Sequence, residues 1–257
     1  MVIYILILIL LNLLIYILID YYRYKNKIIN LNKKLKNENI YLISNEFCKC
    51  KKIYGLKFKC KYCQIDNLID FEKESDIFDL IKNINKKVKF IIHTNGGSSK
   101  WVDYLAYILK TNNVKVISYI PRYALSSGTL LTITSEKIYL NWYSVLGPVD
   151  TQLEYSNNDE EEEDFPVRNI MKVKKKENCI AKLKSMEAKE YFYDDIFLLE
   201  KLFPDEDKRK LIIDNLMLNK TSHSIKYGYD DLKGFGLPVN KNMPENINII
   251  FNNFINL

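Results

Sequence analysis

Histidine is nearly absent from this chain. Its 257 residues include two, His93 and His223, so a metal centre built on imidazoles is not expected. Glycine (8) and proline (6) are also scarce, which excludes a collagen-like chain or a Pro/Gly-rich disordered one. The five cysteines, Cys48, Cys50, Cys60, Cys63 and Cys179, are an odd number and argue against a disulfide framework. No Lys or Arg precedes the apolar run that opens the chain, and Asp20-Tyr21-Tyr22 offers no small-residue cleavage site. A cleaved signal peptide is therefore not expected. What the chain has in quantity is apolar residues (47%) and aromatics (13%), enough for a core in one large or two small domains.

Residues 1–19, MVIYILILILLNLLIYILI, contain one strongly polar residue, Asn12. As a helix this run is about 28 Å long, close to the roughly 30 Å of a bilayer's hydrocarbon core. The reading is an uncleaved single-pass anchor over 1–20. A basic segment follows: residues 21–63 hold twelve Lys/Arg against Glu38 and Glu46, a net charge of +10 within a chain total of +6. The rest of the chain is thus slightly acidic, and the positive balance does not point to nucleic acid. By the positive-inside rule the basic segment and the globular part stay cytoplasmic. The segment is either a solvated linker helix over about 23–38 or a grip on anionic lipid headgroups, and the two are compatible. Cys48, Cys50, Cys60 and Cys63 read C-x-C-x9-C-x2-C. They are ordinary thiols of a Lys-rich hairpin or, less typically spaced, a structural zinc site.

Beyond residue 63 strands alternate with helices. Val88–His93, Val114–Ile120 and Lys137–Leu140 read as buried strands, with helices over 98–111 and from Ala124 onward. This spacing predicts βαβ units and a parallel sheet. In such sheets chemistry sits at the carboxyl ends of the strands. Two features fall there. Gly96-Gly97 follows the first strand, where glycine permits backbone N–H groups to turn into a site. Ser126 follows the second, among Ala124, Ser127 and Gly128. Each alone also reads as a tight turn or a helix N-cap.

Three stretches in order, His93-Thr94-Asn95-Gly96-Gly97, Tyr123–Leu130 (YALSSGTL) and Leu146–Leu153 (LGPVDTQL), resemble the serine dehydrogenase proteinase family. This is a membrane-anchored branch of the signal peptide peptidase A and Clp-type serine proteases, whose patterns run roughly HTPGG, YAMS(G/A)GT and LGPVDPQ. Thr221-Ser222-His223, Gly236-Leu237-Pro238-Val239 and Met243-Pro244-Glu245 extend the similarity toward the C-terminus. The resemblance implies a crotonase-like ββα superhelix over 64–257, following the anchor (1–20) and the basic, Cys-containing segment (21–63). It also implies a homo-oligomer, a peptide or membrane-protein substrate, contact with membrane lipid and no cofactor. The departures are Asn95 for proline, Ser127 for glycine or alanine, an acidic insert over 158–164, and the Cys-rich hairpin.

Carried over position by position, Ser126 is the nucleophile. Gly97 and the N–H of Ser127 form the oxyanion hole, and Gly96 permits the turn. The family's Clp branch uses a histidine some 25 residues later, but position 151 is Thr; the signal peptide peptidase branch uses a lysine. An Ala-Lys match favours Lys189 as general base, with Lys184 next; His93 is read as structural and His223 as a remote alternative. Three readings follow: a serine endopeptidase with a Ser–Lys pair, a non-catalytic membrane scaffold or peptide-binding relative, and a crotonase-type enzyme on a CoA thioester. Ser126 argues against the last. The acidic run Asp159–Asp164 is expected to be a solvated loop.

Overall fold

The computed structural model describes residues 2–44, 52–53, 56–57, 68–71, 73–149, 152–155, 163–166, 179–218 and 225–255. Cys48, Cys50, Cys60, Cys63 and His223 lie outside them.

Helix α1 (Val2–Glu38) is one unbroken rod of 37 residues. The expected boundary near residue 20 is not a structural one, because no glycine occurs before Gly55 and no proline before Pro121. The helix stops where Asn39 adopts φ +51°, a left-handed residue that closes the last turn with its N–H on Lys36 O. Its two halves behave differently. Every described side chain from Ile9 to Arg23 is exposed. Farther on, Ile28, Leu31 and Leu35 are buried at helical spacing. Among the described residues no helix is long and apolar enough to cross a membrane. The continuously described side chains begin at Ile9, and eighteen residues from there already take in Asp20, Arg23 and Lys25.

Six strands form an all-parallel sheet: β1 (Ile40–Ile43), β4 (Leu68–Ile69), β5 (Lys87–Ile92), β6 (Lys115–Ile120), β8 (Lys137–Leu140) and β12 (Val239–Asn240), in the order β12-β8-β6-β5-β1-β4. The strand β1 falls within the segment 21–63, just beyond the helix expected over about 23–38, so part of that segment belongs to the sheet. A parallel sheet must be covered on both faces, and its strands read as near-continuous apolar runs for that reason. Ile40, Leu42, Ile91 and Tyr119 face a cluster made by α1 and the C-terminal helix α8 (Glu245–Ile255). Ile43, Phe90, Ile92, Val116, Ile120 and Ile138 face the opposite layer. That layer includes α2 (Glu74–Asn83), α3 (Ser99–Thr111), α4 (Ser127–Ile133) and α5 (Cys179–Leu202).

The remaining elements are small. Short antiparallel pairs join β2 (Lys52–Ile53) to β3 (Leu56–Lys57), and β10 (Gln152–Tyr155) to β11 (Glu163–Pro166). The end of the acidic run, Glu163 and Asp164, is thus strand and not loop. After Pro204, Asp205 caps α6 (Glu206–Ile212), accepting the N–H of Lys208 at 2.8 Å. A short α7 (Tyr229–Gly234) precedes β12.

What positions the site is a second, smaller layer. After β5, β6 and β8 the chain bends and makes one more short extended stretch before moving on. β7 (Tyr123–Ala124) pairs in parallel with β9 (Val145–Leu146), Thr94 bridges to Ala124, and Leu146 bridges to Tyr227. The helix expected from Ala124 therefore begins at Ser127, because Tyr123 and Ala124 are held in this ladder.

Candidate active site

Two corners of that second layer meet. At the first, Gly96 (φ +125°) and Gly97 (φ +146°) adopt backbone conformations that a side chain makes costly. The hydroxyl of Thr94 fixes the turn: it donates to Gly96 O at 2.9 Å and accepts from Gly96 N at 3.1 Å. A trans peptide is planar, with C=O and N–H pointing in opposite directions. With the Gly96 carbonyl tied to Thr94, the N–H of Gly97 points away from Thr94, and no described residue accepts it.

At the second corner Ser126 stands at φ +52°, ψ −124°. A non-glycine residue there is strained by about 1–3 kcal/mol, and such strain persists only where surrounding contacts impose it. Four hydrogen bonds do so here. Leu125 N donates to Thr94 O at 3.0 Å, Gly147 N donates to Ala124 O at 3.1 Å, and Ser126 O accepts from the N–H groups of Thr129 and Leu130. Gly147 lies directly against Leu125, where a Cβ would come within 3.0 Å of the leucine side chain. The third sequence motif thus buttresses the second. Ser126 precedes α4 but does not use its side chain as a cap, and its hydroxyl has no hydrogen-bond partner among the described residues. Since Ser126 O is bonded into the helix, the N–H of the same peptide unit, that of Ser127, points the other way and is also unclaimed among the described residues.

The two corners touch. A Cβ on Gly96 would lie 2.8 Å from Ser126 Cβ and 3.3 Å from its Oγ. A Cβ on Gly128 would lie 2.5 Å from the Thr94 methyl, so α4 packs directly on the residue that holds the glycine turn. Ser127 Oγ donates to Gly97 O at 3.1 Å and ties one corner to the other. A strained, unbonded hydroxyl beside two unclaimed backbone N–H groups can attack a carbonyl and receive the resulting oxyanion.

The structure therefore brings together Ser126, Ser127, Gly96 and Gly97. It does not bring Lys189 to them: this residue is exposed on α5 and forms no hydrogen bond or ion pair with Ser126 among the described residues. The side chain of Lys184 lies outside the described set, next to the buried Ser185. His93 is 2% exposed, with its ring 4.3 Å from that of Tyr123 and 5.1 Å from that of Phe251, a packing role under the turn. Among the described residues no group of His, Cys, Asp and Glu could hold a metal. Two residues went unassigned in the sequence. Thr94 carries no signal beyond its place ahead of Gly96-Gly97. Asp103, on α3, has its carboxyl pushed up to about 8, mainly by burial and then by the nearby Asp195 and Asp194 of α5.

A parallel α/β sheet with a second layer that presents a strained serine against a diglycine turn defines a protein of the ClpP-like class. The chain belongs to the family of ClpP-like SDH-type serine proteinases, whose pattern matches residues 1–255. Among curated proteins it is similar to two uncharacterized proteins of Methanocaldococcus jannaschii. One is 27% identical over 175 residues (63% of this chain and 57% of that one), the other 28% identical over 171 residues (62% and 54%). The chain thus spans little more than half the length of these relatives. Similar solved structures include a variant of the 1510-N membrane-bound stomatin-specific protease (13% identity, TM-score 0.43, covering 80% of this chain and 81% of that one). Another is the ClpP protease catalytic domain from Plasmodium falciparum (11% identity, TM-score 0.41, 79% and 85%).

Proposed function

We propose that this chain is a membrane-anchored serine endopeptidase that cleaves peptides or membrane-proximal proteins through an acyl-enzyme on Ser126. The observation that carries the reading is the backbone of Ser126, held at φ +52°, ψ −124° with a hydroxyl its helix does not use. In the proposed step Ser126 Oγ attacks the scissile carbonyl, and the N–H groups of Gly97 and Ser127 receive the oxyanion. Collapse expels the amine and leaves an ester on Ser126, which water then cleaves. The hydroxyl proton passes to a lysine of α5, Lys189 before Lys184, acting as the neutral amine, and from it to the departing amine nitrogen. Lys189 is exposed in the single chain, so this role requires a covering surface. Leu183, Met186, Tyr193 and Phe197 are exposed apolar residues on that side of α5, which favours a homo-oligomer that buries it. The apolar run 1–19, exposed wherever α1 is described, favours a single-pass anchor with the basic segment on the cytoplasmic side.

The exposure of Lys189 also favours a second reading, a non-catalytic relative that keeps the fold as a scaffold or peptide-binding protein. Labelling with a serine-directed fluorophosphonate separates the two. Wild type is expected to label and Ser126→Ala to lose the label; equal labelling of both overturns the peptidase reading.

A further inference from the structure

We propose that the groove between the C-terminal half of α1 and helix α8 binds a multiply charged phosphoester, the headgroup of a phosphorylated lipid or the same chemistry free in solution. The groove holds about 410 Å³ and is lined by Lys27, Asn30, Lys33, Lys34, Asn37 and Asn253. Three ammonium groups and three carboxamides surround it, and no carboxylate lines it among the described residues. Ammonium groups are compact point charges suited to phosphate oxygens, and carboxamide N–H groups add donors without adding charge. Lys33 and Lys34 form no ion pair among the described residues.

The lysine spacing is preset. On the adjoining face of the same helix Leu31 and Leu35 are buried in one cluster with Ile250, Phe251 and Phe254 of α8, so both walls of the groove are fixed by core packing. The volume is that of a small-molecule site, too small for a macromolecular surface. Lysines at several points of the lining suit a ligand that carries more than one phosphate over a single carboxylate.

Position bears on both sources of the ligand. Lys27 lies eight residues beyond Ile19, about 12 Å along the helix axis, and Lys34 about 22 Å. The headgroup zone on each side of a bilayer is only about 5–8 Å deep. An upright α1 would therefore offer the groove to a headgroup that projects well into water, or to a soluble phosphoester. The site stands apart from Ser126, and its binding does not depend on the peptidase reading.

The test uses the full chain in detergent micelles and three probes: dioctanoyl phosphatidylinositol bisphosphate, inositol trisphosphate and dioctanoyl phosphatidylserine. Binding is followed by titration calorimetry. Both phosphorylated probes are expected to bind at least ten-fold more tightly than phosphatidylserine. The triple variant Lys27→Gln, Lys33→Gln, Lys34→Gln is expected to weaken them at least thirty-fold. A triple variant of equal charge loss elsewhere, Lys82→Gln, Lys86→Gln, Lys110→Gln, is expected to stay within about two-fold. Tighter binding of the lipid than of inositol trisphosphate assigns the source to the membrane, and equal binding assigns it to solution. Equal losses in the two triple variants, or no preference over phosphatidylserine, would overturn the site.

Discussion

The Ser126 corner and the α5 face that carries Lys189 obey different rules. The corner is assembled from backbone and small side chains, with the Leu125 side chain packed on Gly147 behind it. Its donors belong to peptide units whose carbonyls are already bonded, to Thr94 on one side and into α4 on the other. Nothing outside the single chain is needed to orient them. The α5 face is long, apolar and charged side chains on water: Leu183, Met186, Tyr193 and Phe197 beside Lys189. A lysine becomes a base only when its ammonium form is disfavoured by burial or by like charge. Preorganised donors can thus be completed locally, while a lysine base waits on whatever covers it. The sharpest way to break this contrast is to remove the lysines singly in the assembled protein. Lys189→Ala is expected to slow fluorophosphonate labelling by roughly 10²–10⁴-fold, the span of a lost general base, with Lys184→Ala close to wild type. The reverse result moves the base to Lys184, and no effect from either removes α5 from the mechanism.

Gly96→Ala attacks the other region. The new Cβ meets Ser126 Cβ at 2.8 Å on a backbone at φ +125°, so either the turn or the serine must shift. Labelling is expected to fall about 10²–10³-fold, the scale of losing an oxyanion donor. Urea melts are expected to show a loss of about 1–3 kcal/mol from strain. Wild-type labelling in this variant would mean that the glycine turn is only a turn.

The corner was legible in the sequence because its determinants are local. Two glycines after a buried apolar strand and a serine among small residues are short-range signals, and the parallel sheet follows from alternating strand and helix periods. The rest depends on contacts far apart in the chain. Thr94 looks like any strand-end threonine until Gly96 folds back onto it. The short strand Tyr123–Ala124 is paired by Val145–Leu146, over twenty residues away, which overrides the helical reading from Ala124. β1 was hidden inside a basic stretch because four apolar residues, Ile40–Ile43, are too few to outweigh the charge around them. The base is least legible of all, since a lysine's role is set by its surroundings and not by its neighbours in sequence.

A finer test concerns the two departures from the family pattern at this site. Asn95 stands where that pattern carries proline, which would stiffen the glycine turn; Ser127 stands where it carries glycine or alanine. The Ser127 hydroxyl supplies a bond to Gly97 O that those smaller residues cannot make. Ser127→Ala is expected to slow labelling about three- to ten-fold, in line with one hydrogen bond of about 1 kcal/mol. Adding Asn95→Pro is expected to recover most of that loss. A loss that proline leaves unchanged would mean that the bond does not brace the turn.

A last test probes the joint between the two regions. Asp103 lies on α3, the helix that follows the glycine turn, and faces Asp194 and Asp195 of α5. Its Oδ1 is buried with no hydrogen-bond partner among the described residues. Burial, and after it the two neighbouring carboxylates, raise its carboxyl to about 8, against about 3.9 in the unfolded chain. Between those limits the folded state keeps a proton that the unfolded chain releases. The group's contribution is therefore full below pH 4, declines as pH rises and is gone above pH 8. Asp103→Asn keeps the shape and removes the titration. Wild type is expected to lose stability from pH 5 to pH 8.5 relative to Asp103→Asn, by about 4 kcal/mol or roughly ten degrees in Tm. Parallel pH profiles for the two proteins would mean that Asp103 ionises freely in the fold and that the α3–α5 joint carries no buried charge.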